Sequence, residues 1–225
     1  MIRLLDLLLS CVAVLVLLPF MIPVMLGLKM TGEHHIIYLQ TRVGKGGRDF
    51  KVIKFATMLK DSPNLAGGCI TQKDDPRVLP LGRFLRKTKG NELPQLINIV
   101  LGQMSVVGPR PVVRGHVELY SEEVRAAVLS VTPGLTGIGS VVFRDEEGIL
   151  DRCGRDRKQF HDTVIAPYKG DLEVWFTKHR TVRTWLVLVA LTAWAVIRPS
   201  SKAYRRVFRD LPVPAGELDR HLRGL

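Results

Sequence analysis

The 225-residue chain combines 46% hydrophobic residues with a formal net charge of +12. An ordinary soluble basic protein lacks that apolar excess and a polytopic membrane protein has a larger one, so the pair points to a membrane-associated chain with a basic working face. Three cysteines, Cys11, Cys69 and Cys153, lie far apart with no CxxC, which excludes a disulfide framework or a zinc site and fits a reducing compartment.

From Leu7 to Leu28 no residue is charged (LLLSCVAVLVLLPFMIPVMLGL), roughly the length of a spanning helix. A signal peptide is disfavoured, because the stretch before it is only Met1 to Asp6 and no small-x-small cleavage site follows. Pro19 and Pro23 each remove a helix donor, and in lipid the freed carbonyls need other partners. Two readings stand on the residues alone. One is a kinked span. The other is a helix–break–helix that dips into one leaflet and returns, with Arg3 and Lys29 at the same surface.

Ile36–Arg42 and Phe50–Phe55 are β-branched and aromatic, and the glycine-rich VGKGGRD between them predicts a hairpin with a wide loop. Lys60 to Arg77 holds Pro63, Gly67, Gly68 and Pro76 and reads as loop. Leu79–Lys89 is a short basic helix candidate. In the next helix Leu93, Leu96, Ile97, Val100 and Leu101 follow an i, i+3, i+4, i+7, i+8 pattern. Pro94 suits its first turn and Glu92 lies near its positive end, where a capping carboxylate would serve.

In VVGPRP, two prolines stiffen the backbone around Arg110, so a guanidinium there loses little entropy on gripping a phosphate; an ordinary exposed turn is the alternative. Val112–Leu129 reads as one surface helix. TPGLTGIGS, Thr132–Ser140, is a glycine-rich connection without the GK[ST] of a P-loop. Trp185–Ile197 is apolar but too short to span, which suits an interfacial or a buried helix. Lys202, Arg205, Arg206 and Arg209 form a basic tail. No nucleic-acid motif and no aromatic–basic interleaving is present, so nucleic acid is excluded as a partner.

Taken in order, the Pro-broken N-terminal helix, VGKGGRDFKVIKFATM, DPRVLPLGRFLRKT, NELPQLINIVLGQMSVVGPRP and TPGLTG with Arg144 beyond it resemble the small monotopic phosphoglycosyl transferases, also called bacterial sugar transferases. The likeness runs from Leu7 to about Ile197. It implies an α+β, mainly helical fold: a re-entrant membrane helix over 1–30, a catalytic domain over 31–200 with a β-hairpin among amphipathic and interfacial helices, and a basic tail over 201–225. It implies an enzyme that moves a sugar 1-phosphate from a UDP-sugar to polyprenyl phosphate, releasing UMP. That is the first membrane step of surface glycan synthesis, at the cytoplasmic face of the bacterial inner membrane and against its anionic lipids. It implies Mg²⁺ as cofactor, phosphate or nucleotide binding by Arg86, Arg110 and Arg144, and a place for Lys54 near the active site. Pro19 would be the membrane-helix break. The oligomeric state is left open, a homodimer included.

The resemblance also marks a departure. The family's catalytic dyad is Asp-Glu, its aspartate attacking the sugar-linked phosphorus. Here the pair is Asn91 and Glu92, which would also be the metal ligands. An amide is a very poor nucleophile and a weaker metal ligand than a carboxylate. Glu92 as nucleophile, direct transfer with Glu92 as base, and an inactive scaffold or regulator of the same fold all follow as readings. Gln103 stands where an acid is expected, Ala56 where a basic residue is usual and Leu18 where serine often precedes the proline. An asparagine introduced to stall the enzyme is a fourth reading, and these other departures favour a natural variant over it.

Overall fold

The computed structural model describes residues 1–62, 64, 75–154, 156–198 and 201–223. Most of the loop expected over 60–77, and Cys69 with it, lies outside the described residues. The chain forms two compact units. One comprises Leu4–Thr41 with Phe50–Gly102; the other comprises Met1–Arg3, Arg42–Asp49 and Gln103–Leu225.

In the first unit, α1 (Ile2–Met30) is one helical stretch with Pro19 and Pro23 inside it. Its 29 residues reach about 43 Å at 1.5 Å per residue, longer than a hydrocarbon core of roughly 30 Å. The prolines leave the carbonyls of Leu15 and Pro19 without their usual donors. Packing on one stripe offsets that loss. Met21 and Leu28 are buried with Phe55 and Leu85, and Leu17, Val24, Met25, Ile36, Leu81 and Leu93 close the cluster. Positions 17, 21, 24, 25 and 28 follow the helical repeat, so a single face turns inward. The other faces stay bare: Leu15 is 71% exposed, Phe20 69% and Leu26 58%. An apolar band of this extent calls for lipid.

The predicted hairpin is present as β1 (Ile37–Val43) and β2 (Asp49–Phe55), joined through a tight turn at Lys45–Gly47. Gly46 and Gly47 take φ of 68° and 75°, the left-handed conformation that glycine adopts without penalty. The basic helix expected over Leu79–Lys89 is present as α2 (Pro80–Lys87), with proline at its first position. It approaches β2's continuation so closely that a Cβ on Gly82 would overlap the Thr57 carbonyl oxygen.

α3 (Gln95–Val100) departs from its predicted packing. Leu96 and Ile99 are buried, but so are Gln95 and Asn98, while Ile97, Val100 and Leu101 face outward. Asn98 explains the rotation. Its Oδ1 accepts from Ile53 N–H at 2.9 Å and its Nδ2 donates to Lys51 O at 2.7 Å, so the amide pairs the free backbone of β2. Satisfying that strand edge outweighs burying three apolar side chains, which remain available to a membrane surface.

The second unit runs through β3 (Ser105–Val107), α4 (Arg114–Glu118), α5 (Glu122–Ser130), β4 (Gly134–Thr136), α6 (Ile138–Val142), α7 (Glu146–Arg152) and α8 (Arg157–Phe160). A π-helical turn at His161–Ile165 then leads into α9 (Ala166–Lys178), α10 (Val182–Ile197), α11 (Ala203–Val207) and α12 (Gly216–Arg223). The single surface helix expected over 112–129 is two, because Ser121 caps α5 by accepting from Val124 N–H and Glu122 and Glu123 favour a helix start there. β3 and β4 pair in parallel, Ser105 opposite Gly134 and Val107 opposite Thr136. α10 has one buried face and one exposed apolar face. Trp185, Leu188, Leu191 and Ala195 face inward, and Leu186, Trp194, Val196 and Ile197 face outward.

The basic tail is folded. Tyr204, Leu218 and Leu222 are buried, Arg205 pairs with Asp219 at 2.9 Å, and Tyr168 Oη donates to Pro212 O at 2.9 Å. The architecture is thus mainly helical with two small sheets, as the α+β expectation has it.

Glu173 on α9 is the buried anomaly of this unit. Its stem is partly exposed, yet Oε2 has no accessible surface and no hydrogen-bond partner among the described residues. Oε1 occupies the space over Gly139, where a Cβ would come within 2.9 Å of it. Burial pushes the carboxyl up to about 8, with the Lys169 ammonium pulling weakly the other way. Tyr120 is pushed up to about 12, by burial and then by the Glu173 charge. The folded chain therefore holds the Glu173 proton more tightly than the unfolded chain. Its contribution to stability is full below the unfolded value of 4.5, drains away as pH rises towards about 8, and is gone above that. Glu173→Gln is expected to flatten this decline and to melt higher than the parent above pH ~8. Thermal melts in detergent across that range measure it, and an identical slope in the variant would assign the decline to another group.

Candidate active site

Asn91 and Glu92 sit in a 3-10 turn, Gly90–Glu92, between α2 and α3. The turn is set up by Lys89, which takes φ 61° and so ends α2 in the left-handed conformation more often given to glycine. Backbone bonds then fix it: Lys89 N–H to Arg86 O at 3.1 Å, Glu92 N–H to Lys89 O at 3.1 Å and Leu93 N–H to Gly90 O at 3.2 Å. Pro94 takes the N-cap place of α3, so Glu92 is not that helix's capping residue. Both dyad residues are half-buried.

The Asn91 Oδ1 atom is buried and has no hydrogen-bond partner among the described residues. An orphaned acceptor costs about 1–3 kcal/mol unless something binds to it. Lying beside a carboxylate, it offers hard oxygen to a cation or an acceptor to a donor. No group of three or more His, Cys, Asp or Glu able to hold a metal occurs among the described residues. One carboxylate and one amide oxygen match the one or two protein oxygens that Mg²⁺ takes, the rest of its shell being substrate phosphates and water.

Lys54 and Arg86 belong to the same unit as the dyad. Lys54 Nζ donates to Gln40 Oε1 at 3.3 Å across the hairpin, and Arg86 is half-buried near the end of α2. Their placement has one cause. Phe55, Leu85 and Leu93 pack in a single apolar cluster, and each is the chain neighbour of a polar candidate: Lys54, Arg86 and Glu92.

Arg110 and Arg144 belong to the second unit. Arg110 is exposed just past β3, between Pro109 and Pro111. Its loop is stitched to the glycine-rich TPGLTG segment. Ser105 N–H bonds Pro133 O, Gly108 N–H bonds Thr136 O and Gly134 N–H bonds Pro109 O, each at 2.8 Å. The two backbones run so close that a Cβ on Gly134 would overlap Gly108 N, which is why glycine recurs there. Arg144 is half-buried just past the end of α6, the helix that follows this segment.

Two features were missed from the residues alone. The first is a buried ion pair in DPR: Asp75 Oδ1 accepts from Arg77 Nε at 2.9 Å and Oδ2 from Arg77 Nη2 at 2.6 Å. The second is a wall of residues from the C-terminal segment around Arg144. The DPR spacing was visible in the sequence, but only burial turns an acid two residues from an arginine into a fixed pair.

A family model described as bacterial sugar transferase matches residues 1–199. The chain is 39% identical over 177 residues to the exopolysaccharide production protein PSS of Rhizobium leguminosarum bv. phaseoli, an alignment covering 76% of this chain and 86% of that one. It is 36% identical over 165 residues to the exopolysaccharide production protein ExoY of Sinorhizobium fredii, covering 67% and 73% of the two chains. It is 34% identical over 174 residues to the UDP-glucose:undecaprenyl-phosphate glucose-1-phosphate transferase of Escherichia coli, covering 76% of this chain and 36% of that enzyme.

Proposed function

Since the chain belongs to the bacterial sugar transferase family and is a phosphoglycosyl transferase, we propose that it transfers a sugar 1-phosphate from a UDP-sugar to polyprenyl (undecaprenyl) phosphate and releases UMP. The observation carrying this reading is the dyad turn, where Glu92 follows Asn91 and the Asn91 Oδ1 is buried without a partner among the described residues. The names of relatives that make undecaprenyl-phosphate sugars support the acceptor, and those of the exopolysaccharide proteins support a role at the start of a surface glycan.

Glu92 is the reacting group. One of its oxygens bonds to the sugar-linked phosphorus while the bond from that phosphorus to the bridging oxygen breaks, and UMP leaves with the electron pair. A phosphate oxygen of the polyprenyl phosphate then attacks the same phosphorus, and the Glu92 carboxylate is released. Asn91 Oδ1 and Glu92 would hold Mg²⁺, which supplies positive charge against the crowded phosphates. Lys54, Arg86, Arg110 and Arg144 bind phosphate oxygens and offset the repulsion between two anionic substrates.

The chain lies on the cytoplasmic face of the inner membrane, with α1 bending at its prolines so that it enters and leaves by one leaflet. Pro19 and Pro23 inside α1 and the cations Arg3 and Lys29 near its two ends support that topology. Intact-mass measurement after incubation with UDP-sugars alone tests the chemistry. A gain of one sugar phosphate, lost again on adding polyprenyl phosphate, is the expected result. UMP appearing only when both substrates are present would replace the covalent step by direct transfer. No UMP from any UDP-sugar with the lipid phosphate would overturn the transfer and leave the inactive scaffold that Asn91 brings to mind.

A further inference from the structure

In the second unit a shallow cleft lies between α6–α7 and the C-terminal segment. Arg144, Asp145 and Arg152 line one side, and Lys202, Tyr204 and His221 line the other. Three fixed cations thus face one acid, and that acid is already taken, since Asp145 pairs with Arg152 at 3.1 Å. The Arg144 guanidinium and the Lys202 ammonium have no ion-pair or hydrogen-bond partner among the described residues.

The far wall is built and held. Tyr204 is 3% exposed, and Leu218 and Leu222 anchor α12 in the core. Ser201 Oγ accepts from Trp194 Nε1 at 2.9 Å, and the His221 ring packs edge-on against Phe160 at 5.5 Å. Every residue of this wall lies beyond 199, where the family match ends. A guanidinium on one element and an ammonium on another suit a tetrahedral phosphoryl dianion. A planar carboxylate would be satisfied by a single guanidinium fork.

We propose that the segment 201–223 is a phosphate-recognition wall that, together with Arg144, binds a phosphoryl group of one of the two substrates, with Lys202 as a specificity-determining residue. The inference deepens the transfer reading and takes from it only the source of the phosphate, nucleotide or lipid.

The test is direct binding to the full chain in nanodiscs, with UDP in one arm and a short-chain polyprenyl phosphate in the other. Lys202 is exposed, so Lys202→Ala should melt with the parent. It should weaken one ligand about ten-fold, the loss expected for one charge-assisted hydrogen bond, and Lys202→Arg should recover most of that. Weaker UDP binding assigns the cleft to the nucleotide, and weaker lipid binding assigns it to the acceptor. Parent-like binding of both ligands by Lys202→Ala would overturn the proposal. Because binding is read without turnover, a chain that binds UDP yet releases no UMP would sink the transfer reading alone.

Discussion

Glu92→Gln is expected to lower turnover of UDP-sugar and polyprenyl phosphate by about a thousand-fold or more, with little change in melting temperature. The substitution keeps size and hydrogen-bonding reach and removes only the charge. It leaves two amides in the turn, neither able to attack phosphorus. Asn91→Asp is the informative partner. It restores a second carboxylate where a buried oxygen now has no partner among the described residues, so it should be tolerated or faster. Rates of UMP release from purified enzyme measure both. Full activity in Glu92→Ala would remove the dyad from the chemistry. The same variants separate binding from reaction, because Glu92→Gln should still bind UDP through the arginines.

Asp75→Ala is expected to cost about 3–5 kcal/mol of stability, a large share of the roughly 5–15 kcal/mol a folded domain holds. The side chains of Arg77 and Asp75 are 5% and 3% exposed, so deleting the acid strands a guanidinium away from water. Arg77 Nη1 also donates to Ser62 O at 2.8 Å, but a neutral carbonyl cannot replace the lost charge. The double change Asp75→Leu with Arg77→Met should recover most of the loss, because an apolar pair of similar volume needs no desolvation. Denaturant midpoints in a fixed detergent measure both. Equal destabilisation by the single and double changes would mean that packing, not charge, sets the cost.

The sequence carried some of this and not the rest, for physical reasons. Strand and hairpin signals are local, so Ile37–Val43 and Asp49–Phe55 were legible within a residue or so, glycines at the tip included. The short basic helix α2 was legible for the same reason. The orientation of α3 was not, because periodicity says which residues could be buried. The choice fell to Asn98, whose partners lie more than forty residues away in β2. The split of α4 from α5 could have been read from Ser121-Glu122-Glu123, a local cap signal that the longer apolar pattern hid. Asn91 and Glu92 were visible as a pair. The orphaned Oδ1 was not, since it follows from the turn that Lys89 imposes. The wall around Arg144 lies beyond the family's matched region and could come only from the folded chain.

Met21 and Leu28 belong at once to the greasy N-terminal helix and to the cluster that seats β2 and α2. Anchor and body therefore share one set of van der Waals contacts. Trimming the chain at residue 31 to obtain a water-soluble fragment would strip the cover from Phe55 and Leu85 and loosen the turn that carries the dyad. Solubility and an intact catalytic turn cannot both be had by amputation, and preparing this enzyme means bringing its own patch of amphiphile with it.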